Sequence, residues 1–102
     1  MTFEGHDCAV LGVCKINNHK FVSASADKTL KLWRISEPNA VTTFKGHMND
    51  VYGVCKIDET TFVSASKDRT LKLWKHEMRM KLVQGENIIG GVYEEVWYEE
   101  DV

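Results

Sequence analysis

Apolar residues fall in short runs along this chain, and polar turn formers part them. Val10–Ile16 and Val51–Ile57 are rich in β-branched and apolar residues, as are Phe21–Ser25 and Phe62–Ser66. Leu30–Ile35 and Leu71–Trp74 alternate apolar residues with lysine. Such runs suit strands, where successive side chains point to opposite faces of a pleated surface. Between them lie Asn17-Asn18-His19-Lys20, Ala26-Asp27-Lys28, Asp58-Glu59-Thr60-Thr61 and Lys67-Asp68-Arg69. Their Asn and Asp side chains bond to nearby backbone and so favour turns. Val41–Phe44 and Met80–Val83 are expected to supply a fourth strand after each third. No apolar period of 3.6 residues persists, so no helix is predicted. The sole proline, Pro38, falls in the connector Ser36–Asn39, where a missing N–H does no harm.

The pattern occurs twice. Residues 3–34 align with residues 44–75 at an offset of 41 without a gap, and 20 of the 32 positions are identical. Duplication of one structural unit is the economical explanation. Leu32, Leu73, Ile16, Ile57, Phe21 and Phe62 read as core. Four short antiparallel strands recurring every 40–45 residues or so are the pattern of a propeller blade. Each copy also reads Gly-His, an apolar strand, then Ser-x-Ser-x-Asp-x-Thr-Leu-Lys-Leu-Trp. That order resembles the WD40 repeat over residues 3–83. One departure is visible: the family's usual Trp-Asp is Trp33-Arg34 and Trp74-Lys75 here. The resemblance implies an all-β fold of two four-stranded antiparallel blades, an incomplete β-propeller. Residues 1–43 form the first repeat and 44–84 the second. Residues 85–102 read as a degenerate start of a third, with Gly85-Glu86 in place of Gly-His, followed by an acidic tail.

Each repeat holds a Ser, a His and an Asp: Ser23, His6 and Asp27, then Ser64, His47 and Asp68. The same trio serves as a hydrolase triad in other folds. Another reading satisfies more groups. The indole N–H of Trp33 only donates and an ionised Asp27 only accepts, while Ser23 and His6 can do both. A directed Trp–Ser–His–Asp chain is therefore available, and the resemblance implies such a structural tetrad in each blade. The second would join Trp74, Ser64, His47 and Asp68. A catalytic centre seldom occurs twice in adjacent structural repeats, so no enzyme is expected. By family position, Asp7, Ala9 and Ala26 in the first repeat and Met48, Asp50 and Lys67 in the second face the top surface. They differ between repeats, and they are the candidate partner-contact surface.

Composition narrows the partners. The net charge is −2, but five acids and no Lys or Arg lie in the last nine residues, leaving 10 acidic against 13 basic residues before them. Those lysines are scattered, not gathered in a stripe, so nucleic acid is not indicated. The longest apolar runs fall far short of the roughly 18–20 residues of a membrane span. The N-terminus lacks a basic-then-apolar leader, so a cytoplasmic or nuclear site is expected. Three cysteines occur without a CxxC pair. Cys14 and Cys55 are expected as small buried hydrophobes, and no metal or cofactor is expected. His19 and His76 read as solvated loop residues. The expected role is a protein- or peptide-binding scaffold with no small-molecule substrate. An alternative is the propeller part of a larger regulatory enzyme of kinase or ubiquitin-ligase type. Propellers close with about 4–8 blades, so the chain reads as part of one; the alternative is self-association into a closed ring.

Overall fold

The computed structural model describes residues 1–85 and 88–100. Eight strands run in chain order: β1 (Val10–Lys15), β2 (Lys20–Ser25), β3 (Leu30–Arg34), β4 (Thr42–Phe44), β5 (Val51–Asp58), β6 (Thr61–Ser66), β7 (Leu71–Gly85) and β8 (Ile88–Glu99). They build two antiparallel four-stranded sheets, ordered β1-β2-β3-β4 and β5-β6-β7-β8. No helix occurs among the described residues. The repeat is visible in the register: Phe21 faces Trp33 and Phe62 faces Trp74, while Ser23 faces Lys31 and Ser64 faces Lys72. Both inner strands carry a bulge at matching places, between Val10 and Gly12 and between Val51 and Gly53. A bulge increases local twist, which suits strands that lie side by side in successive blades.

The core lies between the sheets. Ile16, Val22, Ala24, Leu30 and Leu32 of the first unit are buried in one cluster with Val51, Phe62, Trp74 and Phe44. Phe44 ends β4, yet its ring meets Phe62, Trp74 and Trp97 edge-on at centroid distances of 5.1, 5.4 and 5.5 Å. It thus locks the crossover between the two sheets. Gly12 allows the inner strands to approach. A Cβ there would sit 2.9 Å from the Tyr52 carbonyl oxygen and 3.3 Å from Gly53 Cα.

Five expectations need correction. Met80–Val83 is not a fourth strand: it continues β7, which pairs with β8 from Trp74–Glu99 to Gly85–Ile88. The first repeat has Pro38 and a polar connector after its third strand; the second has no breaker before Gly85, so the strand runs on. Residues 88–99, read as part of a third repeat's start and an acidic tail, instead fill the outer place in the second sheet. Their acids meet basic residues of β7: Glu94 lies opposite Arg79, and Glu99 Oε2 is 2.8 Å from Lys72 Nζ. Ile57 is 61% exposed, although Ile16 at the matching place is 1% exposed. Ile16 has the second sheet over it, and among the described residues no sheet covers Ile57. For the same reason Cys55 is exposed. Cys14 is only half-buried, its Sγ accepting the Lys56 backbone N–H at 3.2 Å across the joint. His76 lies within β7 and stacks on Trp97, with centroids 4.7 Å apart.

Candidate functional site

The end of each sheet where the chain enters its inner strand carries a linked set of polar side chains. In the first unit, Trp33 Nε1–H donates to Ser23 Oγ at 2.8 Å. Ser23 Oγ lies 2.6 Å from His6 Nε2, and His6 Nδ1 lies 2.8 Å from Asp27 Oδ2. An ionised carboxylate can only accept, so Nδ1 carries the proton and Nε2 accepts from the serine hydroxyl. The second unit repeats this geometry: Trp74 Nε1 to Ser64 Oγ 2.9 Å, Ser64 Oγ to His47 Nε2 2.6 Å, and His47 Nδ1 to Asp68 Oδ2 2.8 Å. The register explains the first link. Ser23 and Trp33 lie on neighbouring strands, two pairs apart on one face.

The aspartates do more than end the chain. Asp27 Oδ2 also accepts the backbone N–H of Asp7 at 3.1 Å, and its Oδ1 accepts the Thr29 N–H at 2.9 Å and the Thr29 hydroxyl. Asp68 does the same with Met48 at 3.0 Å and with Thr70 at 2.8 Å. Burial pushes the Asp27 carboxyl up, but the bonds from Thr29, His6 and Asp7 outweigh it and hold the group at about 2. For Asp68 the Thr70 hydroxyl is the largest influence, and the carboxyl is held well below the ordinary range against burial. Thr29 and Thr70 were not singled out in the sequence. The signal was present in Asp-x-Thr, a spacing that lets Asp accept an amide two residues on.

Two backbone bonds finish the tie. Ala26 N–H donates to Ala9 carbonyl oxygen and Lys67 N–H to Asp50 carbonyl oxygen, both at 2.9 Å. Asp7, Ala9 and Ala26 therefore sit together at one end of the first sheet, and Met48, Asp50 and Lys67 at the corresponding end of the second. Asp7, Ala9, Met48 and Lys67 are exposed; Ala26 and Asp50 are half-buried. Each residue thus stands on backbone that is bonded to a neighbouring loop.

Chemically, Ser23 and Ser64 are poorly placed as nucleophiles. Both are buried, and each Oγ already accepts an indole N–H while facing a histidine nitrogen. An attacking hydroxyl must reach a carbon in a cleft. His47 and Ser64 are buried within the blade, while His6 and Ser23 border a small apolar cavity of about 130 Å³ with Phe3, Val10, Val13 and Phe21.

This geometry belongs to a propeller blade, and the chain is a member of the WD40 family. The family model described as "WD domain, G-beta repeat" matches residues 1–34 and 38–75. Among solved structures, the WD40 β-propeller domain of Doa1 is 33% identical with a TM-score of 0.67, over 72% of this chain and 25% of that one. The computationally designed Ika4 protein is 31% identical with a TM-score of 0.65, over 72% of this chain and 45% of that one. The chain therefore spans a quarter to under half of these proteins. No curated protein matches it. WD40 propellers are, in general, non-catalytic scaffolds that bind other proteins.

Proposed function

We propose that this chain serves as a protein- or peptide-binding scaffold and carries out no reaction of its own. Its contact surface is formed by Asp7, Ala9 and Ala26 of the first blade with Met48, Asp50 and Lys67 of the second. The observation that carries this reading is the bond from the Asp7 and Met48 amides to the tetrad aspartates. A buried chain of hydrogen bonds ends on the backbone of the loop that presents the exposed residues. Ordering is thereby completed before a partner arrives, and less conformational freedom is lost on binding. The presented side chains differ between blades, as selection for a partner allows, while the supporting tetrads are identical.

The test is selection of peptides from a displayed random library against the full chain. Selected peptides are expected to lose at least tenfold in affinity for the Asp50→Lys, Lys67→Glu double variant. Peptides that bind the variant and the parent equally would place recognition elsewhere and defeat this assignment.

A further inference from the structure

The end of the sheets opposite the tetrads holds a second cluster of polar side chains. β1 ends at Lys15, and Lys56 occupies the matching place in β5 at the repeat offset of 41. The bond from the Lys56 backbone N–H to Cys14 Sγ, 3.2 Å long, holds the two inner strands together at this point. Between the blades opens a cleft of about 420 Å³, lined by Lys15, Asn17, Asn18 and His19 of the first and by Lys56 and Glu59 of the second. Both walls therefore belong to this chain's own internal joint.

The lining is rich in donors. A lysine ammonium has three N–H donors, an asparagine amide two, and an imidazole at least one when neutral. Asn17 Oδ1 accepts the His19 backbone N–H at 2.8 Å, so what Asn17 still offers is mainly its amide N–H pair. The turn that carries these donors is fixed, since the Ile16 N–H donates to the Lys20 carbonyl oxygen at 3.0 Å and the Ile35 N–H to the His19 carbonyl oxygen at 2.9 Å. The second blade has Asp58, Glu59 and Thr60 where the first has Asn17, Asn18 and His19. Asp58 is engaged by Thr60, accepting its backbone N–H at 2.8 Å and its hydroxyl at 2.9 Å, and does not line the cleft. Glu59 alone brings negative charge, and two lysines against it leave one positive charge in excess. Among the described residues, none of these three charges lies in an ion pair.

We infer that this cleft binds a phosphate monoester. A carboxylate brings two oxygens and one charge, whereas a phosphate monoester brings three terminal oxygens and about −1.5 to −2 charges at pH 7. Two ammoniums and a set of neutral donors suit the second, and lysine acts on phosphate as a point charge without the planar fork of arginine. Lys15 and Lys56 reach the group from the two blades, and Asn17, Asn18 and His19 supply the remaining donors. Glu59 opposes the charge and limits the affinity. Five of the six lining residues are exposed, so a phosphate carried on a longer chain can enter from solvent. No apolar side chain lines the cleft to hold a lipid tail, so the carrier is a polar chain such as a peptide. The cleft lies at the other end of the sheets from the contact surface proposed above and does not depend on that assignment.

The test titrates the full chain, at constant ionic strength, with a short peptide carrying one phosphoserine, with free O-phosphoserine and with inorganic phosphate. Amide NMR shifts report binding, and saturable changes are expected at His19 and Lys56. Lys15→Ser and Lys56→Ser, both on exposed side chains, should each weaken binding about fivefold or more, and Glu59→Gln should tighten it about twofold or more. The same peptide with glutamate in place of phosphoserine should bind about tenfold more weakly. A peptide that binds tighter than O-phosphoserine supports a peptide-borne phosphate, and equal binding supports a free monoester. Should a lysine variant fail to fold, Glu59→Gln decides, because its effect has the opposite sign. The inference is overturned if none of the three probes saturates by about 10 mM, since binding weaker than that is not a built site. Unchanged binding in a folded Lys15→Ser, Lys56→Ser double variant overturns it too, as does equal affinity for the glutamate peptide.

Discussion

Replacing Ser64 by alanine tests the reading of the tetrads directly. Its Oγ is fully buried, receives the Trp74 indole N–H at 2.9 Å and lies 2.6 Å from His47 Nε2. Ser64→Ala removes both partners at once and leaves two buried polar groups unpaired. Stranding one such group costs about 1–3 kcal/mol, and loss of the serine's own buried hydroxyl returns part of that. The expected destabilisation is about 2–4 kcal/mol. The twin substitution Ser23→Ala breaks the same bonds, at 2.8 and 2.6 Å, in the first blade. There the His6 side chain is 4% exposed, against 0% for His47, so the two substitutions should cost about the same. Both would be measured by urea unfolding followed through tryptophan fluorescence. A Ser64→Ala midpoint that corresponds to less than about 0.5 kcal/mol would refute the reasoning, since surface changes of no consequence fall in that range.

Three further outcomes follow from the geometry. The hydrogen-bonded state of Asp27 needs the ionised carboxylate, and the folded group is held at about 2 against an ordinary 3.8. Its contribution is therefore complete above about pH 4 and is lost as pH falls through about 2; the Asp68 carboxyl acts in the same direction. Urea midpoints taken from pH 6 to pH 2 should fall in that window, and less steeply in Asp27→Asn. Gly12→Ala places a Cβ 2.9 Å from the Tyr52 carbonyl oxygen and should cost about 1–3 kcal/mol in thermal unfolding, since backbone cannot swing aside as a side chain does. Lys20→Ala removes the Lys20–Glu95 pair, 3.7 Å apart and partly exposed, which joins β2 to β8 across the joint. Its effect should stay below about 1 kcal/mol in the same assay, and a larger loss would mean that β8 is held mainly by charge.

Much of the fold was legible because the duplicated pattern aligns without gaps. Strands β1, β2, β3, β5 and β6 follow from apolar runs bounded by Asn, Asp and Ser turn residues. The second half of β7 and the position of β8 were not legible. Extrapolating from the first repeat predicts a break after the third strand, but only the first repeat has Pro38 to enforce it. The site was partly legible. Donor and acceptor roles alone allowed the order Trp–Ser–His–Asp, while the tie from Asp27 to the Asp7 amide depends on where two loops meet, and no periodicity carries that. Trp97 gave no signal either. It meets Phe44, Phe62 and His76 only because β8 folds back along β7.

By itself the sequence determined the strand periods, the turns between them and the two identical polar sets, because these depend on residues close in the chain or on local bonding preferences. Only the tertiary structure decided burial. Leu30 and Leu71 occupy the same place in the same strand of the same unit, yet one is buried and the other open. Hydrophobic stabilisation depends on area removed from water, and removal takes a neighbour. The first blade has one over that face and the second does not, and no inspection of either leucine's local sequence distinguishes them.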